Sequence, residues 1–83
     1  MYKLFIFLYN NNGDNMNNIN VREYIINNFK NDSADDIRES IDSSINSHDE
    51  DPLIGLGVLF EIMWINSNED EKVFILNNIK KGL

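Results

Sequence analysis

The segment Gly55-Leu56-Gly57-Val58-Leu59-Phe60-Glu61-Ile62-Met63-Trp64 is apolar on nearly every side of any regular structure it could form. It holds the only Trp of the chain and one carboxylate, Glu61, in its middle. Burying apolar surface is the main favourable contribution to folding, so this segment has to lie at the centre of the core. The chain has 83 residues, one small domain at most. A chain this short buries only roughly 60% of its unfolded surface, which leaves a thin stability margin. With no cysteine there is no disulfide staple and no thiolate metal site, so a reducing interior is the expected setting.

The central segment reads as a helix running from about Leu53–Gly55 to Asn66. Gly55 and Gly57 each cost a helix interior roughly 1 kcal/mol relative to Ala. Their placement predicts close approach of another backbone. Leu56, Leu59, Phe60 and Met63 occupy one face, and Val58, Ile62 and Ile65 another. Both faces need cover, from the rest of the chain or from a second copy.

The flanking pattern is helical too. Val21, Tyr24, Ile25 and Phe29 form an apolar stripe, with Asn20 as an N-cap and Glu23 in the capping-box position. Asn31-Asp32-Ser33 breaks the pattern. Ser33 then caps a second helix, whose first turn carries Asp35 and Asp36. Its narrow stripe is Ala34, Ile37, Ile41 and Ile45. A polar connector runs from Asn46 to Pro52, where the missing N–H and the restricted Asp51 set a boundary. Asn68 and Glu71 form another capping box. It opens a fourth helix with Val73, Ile75, Leu76 and Ile79 inward, Lys80 and Lys81 at its negative end, and Gly82 as its stop.

Ahead of this body, Tyr2 to Tyr9 is strand-prone, and Asn10 to Asn15 is a polar linker with a turn signal at Asn12-Gly13. The apolar run Leu4–Tyr9 is too short for a membrane helix and lacks signal-peptide features. Residues 1–15 read first as an extension outside the native domain, with Met16 as its natural start. A membrane- or partner-binding tail and an edge strand are the competing readings. The predicted fold is therefore all-α: one small helical domain over residues 16–83, a bundle of three to four short helices, behind a disordered or extended N-terminal extension.

Chemistry is sparse. Fourteen acids against seven bases give a net charge of −7, with the bases scattered. Direct nucleic-acid binding needs clustered Lys and Arg, so none is expected, and an acidic surface is repelled by anionic membranes. Glu61, if buried, would have a raised pKa and could serve as an acid or base. The competing reading, an edge carboxylate paired with a Lys or capping backbone, fits better because no companion group is identifiable. His48, Asp49, Glu50 and Asp51 are potential ligands, but they lack helical ligand spacing or a calcium-loop pattern, so no metal site is expected. The serines have no nucleophile-elbow context, and Gly55-x-Gly57 lacks the remainder of any phosphate-loop fingerprint. No cofactor or catalytic residue is predicted. The residues singled out are Gly55, Leu56, Gly57, Leu59, Phe60, Glu61, Met63 and Trp64, as a core or interface motif. They predict a protein partner or self-association, with a homodimer as one form of it.

Residues 16–83 resemble the small, acid-soluble spore proteins of type I from endospore-forming bacteria. The resemblance rests on Gly55 to Trp64, Asn66, the acidic turn Glu69-Asp70-Glu71-Lys72, Lys81-Gly82-Leu83, and the opening Met16-Asn-Asn-Ile-Asn-Val-Arg-Glu. One departure is that the family usually has Pro directly before the Gly that opens the motif. Here Ile54 holds that position and Pro52 lies two residues earlier, so the approach to the helix is expected to differ. The resemblance implies a non-enzymatic protein, made in the forespore and housed in the spore core, with a structural or interaction role. The alternative is a nucleoid- or DNA-associated spore protein, by analogy with the abundant α/β-type spore proteins. Their sequence signature and basic surface are absent here.

Overall fold

A computed structural model describes residues 21–83. The readings made for residues 1–15, for Met16 and for the Asn20 cap lie outside the described residues. Within them the chain is four α-helices with no strand: α1 Val21–Phe29, α2 Ala34–Asn46, α3 Leu53–Ile65 and α4 Glu69–Gly82. The all-α expectation holds, and α2, α3 and α4 each begin within about two residues of their sequence signals.

Local chemistry accounts for the boundaries. Asp32 N–H donates to the Phe29 carbonyl at 3.0 Å in the turn that follows α1. Ser33, in extended geometry, then accepts from the Asp36 N–H at 3.1 Å, and this satisfies one orphan donor of α2. At the far end of α2, His48 takes φ 59° and donates its N–H to the Ile45 carbonyl at 3.2 Å. This left-handed residue past the helix end is a position that glycine usually fills. Pro52 occupies the N-cap position of α3, is buried, and accepts from the Leu56 N–H at 3.0 Å. The displaced proline thus starts the helix itself. Asn66 Nδ2 and Ser67 Oγ donate back to the Ile62 and Met63 carbonyls at 2.8 and 2.7 Å, closing α3. The Asn68–Glu71 capping box is complete, with both reciprocal bonds at 2.8 Å. Gly82 does not stop α4, which runs through it before Leu83 N–H turns back to the Lys80 carbonyl.

The core is small. Ile25 and Phe29 of α1 meet Val58 of α3, and these are the buried large apolar side chains among the described residues. Val21, Tyr24, Ile37, Leu56, Leu59 and Ile62 pack around them, half-buried. Helix α3 is the hub: its most extensive contacts are with α1 and α2, and α4 has no contact of that extent with any described helix. Two expected stripes are weaker than predicted. Ala34 and Ile45 of α2 are exposed, leaving Ile37 and Ile41 to face inward. On α4, Val73, Leu76 and Ile79 are exposed, and Ile75 is the half-buried apolar side chain. The reason is geometric. Helix α2 covers only one narrow face where it packs on α3, and α4 packs on the described helices less than that, so both carry apolar residues beyond the contact.

Candidate functional site

Helix α3 presents the motif in three layers. Gly55 is buried; Leu56, Leu59, Glu61 and Trp64 are half-buried; Gly57, Phe60 and Met63 are exposed. A Cβ built on Gly57 meets nothing within 4 Å. The close backbone approach expected at that glycine is therefore absent within the described chain.

Glu61 pairs with a residue that the sequence reading passed over. Arg22 Nε donates to Glu61 Oε1 at 2.6 Å, and Arg22 Nη2 donates to Oε2 at 3.0 Å. This two-pronged fit is one that only a guanidinium can make with a carboxylate. The carboxylate side chain keeps 39% of its surface exposed. The hydrogen bond from Arg22 holds its pKa below the ordinary carboxylate range, with the nearby positive charge adding to the shift and partial desolvation opposing it. The same bond raises the pKa of Arg22. Glu61 is thus an ionised structural partner that ties α1 to α3. It has the opposite shift from the one a general acid at neutral pH would need.

The exposed side of α3 is aromatic. Phe60 and Trp64 stack with centroids 5.9 Å apart and planes inclined by 22°. Lys72 Nζ, from the first turn of α4, lies 5.2 Å from the Trp64 ring centroid, within cation–π range. Phe60, Glu61, Trp64 and Leu76 line an open, mainly apolar hollow of about 370 Å³ between α3 and α4. Val21, Arg22, Ile54, Gly57, Val58 and Glu61 line a second, shallow one of about 260 Å³ on the α1 side. Neither hollow gathers nucleophile, base and oxyanion donor. The surface is suited to apolar contact with a charged rim.

His48, Asp49, Glu50 and Asp51 lie exposed in the connector between α2 and α3. Among the described residues no group of three or more His, Asp or Glu side chains is placed to hold a metal ion. No described helix is long and apolar enough to cross a membrane. Arg22 and Lys72 are the site residues that sequence reasoning missed. Arg22 lies 39 positions from Glu61, and no local spacing could link them. For Lys72 a signal existed: it follows the capping box directly, one turn into the helix that starts beside Trp64.

The family model described as "Small, acid-soluble spore protein I" matches residues 19–83. A protein of that name from Bacillus mycoides is 41% identical over 64 residues, covering 77% of this chain and 93% of the relative. Relatives of the same name from Bacillus cytotoxicus and Bacillus anthracis are 38% identical over 66 residues and 39% over 64. The first alignment covers 80% of this chain and 94% of its relative, and the second 77% and 93%. No solved structure matches.

Proposed function

Because the chain belongs to the small, acid-soluble spore protein I family, which makes it a spore-associated protein, we propose that it is a non-enzymatic component of the spore core, made in the forespore. Its role in this reading is structural, exerted through contact with another protein. The observation that carries the proposal is the family match, which spans nearly the whole described body. The physical features agree with it. The one carboxylate of the apolar helix is held ionised by Arg22, away from acid–base work. The apolar side chains that the core does not absorb, Phe60 and Met63 on α3 and Val73, Phe74 and Leu76 on α4, offer a contact surface.

The test is a fluorescent fusion expressed from the native promoter and followed through sporulation. Signal first in the forespore and then retained in the core of the released spore is expected. Signal in vegetative cells or in the mother cell would contradict the assignment. A DNA-associated role is tested separately: the purified chain is expected to leave duplex DNA unshifted at low salt, and a salt-sensitive shift would overturn that expectation.

A further inference from the structure

Helix α4 carries an outward seam. Glu69, Val73, Leu76 and Lys80 are spaced four, three and four residues apart, the repeat that keeps side chains on one face of a helix. All four are exposed, whereas Ile75 and Lys72 on the adjoining face are half-buried. Neither Glu69 nor Lys80 has an ion-pair partner among the described residues. The helix is acidic in its first turn and basic in its last, with the apolar pair between.

This pattern is complementary to itself when reversed. Laid antiparallel against a second α4 about a two-fold axis near Phe74 and Ile75, Val73 falls level with Leu76 of the other copy. Glu69 falls level with Lys80 of the other copy, and the axis repeats both pairs. A parallel arrangement would set Glu69 against Glu69 and Lys80 against Lys80. We propose that this face of α4 is the docking site for a second copy of the chain, paired antiparallel through Val73 and Leu76 and fixed in register by Glu69 and Lys80. The interface is isologous, as two-fold dimers require. Leu76 also lines the hollow beside Phe60 and Trp64, so the seam continues onto the exposed aromatic surface of α3. The inference rests on the reading that the protein acts through contact, and it names the partner. A helix of 14 residues is about 21 Å long, so the seam gives an interface below the standard roughly 1,200–2,000 Å², in the class of weak and transient contacts.

Charge reversal tests it on the full chain. Sedimentation equilibrium of the wild type should show a monomer–dimer equilibrium at tens to hundreds of micromolar that weakens with salt. Glu69→Lys and Lys80→Glu should each weaken dimerisation roughly tenfold or more, because two like-charge contacts replace two attractive ones. Mixing the two variants should restore association, since one copy then presents two lysines to the two glutamates of the other. The double variant Glu69→Lys/Lys80→Glu should dimerise like the wild type. Circular dichroism of each variant keeps loss of α4 itself apart from loss of pairing. A wild type that stays monomeric throughout, a dimer indifferent to both reversals, or a mixture of folded variants that fails to associate would each overturn the proposal. None of these outcomes bears on the spore-core assignment, which the fusion reads independently.

Discussion

Glu61 is ionised in the fold to lower pH than in the unfolded chain, because Arg22 donates two hydrogen bonds to it. A group whose pKa is depressed on folding adds stability that is fully present above its unfolded value. That stability is lost as pH falls through the folded value. Urea unfolding of the wild type and of Glu61→Gln should therefore differ near neutral pH, with the variant weaker, and converge below the ordinary carboxylate range. Equal midpoints at neutral pH would deny the pair any role in stability. Gly57 leads to the opposite kind of substitution. Nothing lies within 4 Å of a Cβ placed there, so Gly57→Ala should stabilise the monomer by roughly 1 kcal/mol through helix propensity. A lower melting temperature would reveal a neighbour in solution that uses the missing side chain. Sequence reasoning expected that neighbour because glycine is costly in a helix. The cost is real, but the described chain does not use the room it leaves.

At the scale of elements, the signals with short-range causes were legible. Ser33 and Asn68 could be read as caps because a cap needs only a side-chain oxygen and a backbone N–H three residues on. Asn68→Ala should cost about 1 kcal/mol and show as earlier loss of helicity on heating. His48 was legible only as a connector residue, since a left-handed backbone leaves no mark in a sequence unless glycine fills it. His48→Gly should raise stability by roughly 0.5–1 kcal/mol, by removing the Cβ conflict of a left-handed residue, and thermal denaturation would register it. How deeply each stripe is covered could not be read, because periodicity defines a face and not the partner on it. Val73 and Leu76 follow the helical period as faithfully as Ile25 and Phe29 do, yet the first pair is exposed and the second buried. The link from Arg22 to Glu61 was illegible for a related reason: it exists only once α1 crosses α3.

At the scale of the whole molecule, burial among the described residues is concentrated in one place. Ile25 is fully buried against Phe29 and Val58, and Ile25→Ala should cost about 2–5 kcal/mol. In a domain of this size that is most of the margin, so the variant should lose its cooperative thermal transition. Helix α4 lies outside this cluster and touches the rest more lightly. The junction between the two regimes falls at Trp64, where an indole anchored on α3 meets Lys72 of α4. The chain has no second indole, so its indole fluorescence samples that single boundary. Emission is a built-in optical gauge of whether the last helix is seated. Under gentle heating or dilute denaturant the spectrum should begin to shift while most of the helical ellipticity is still intact.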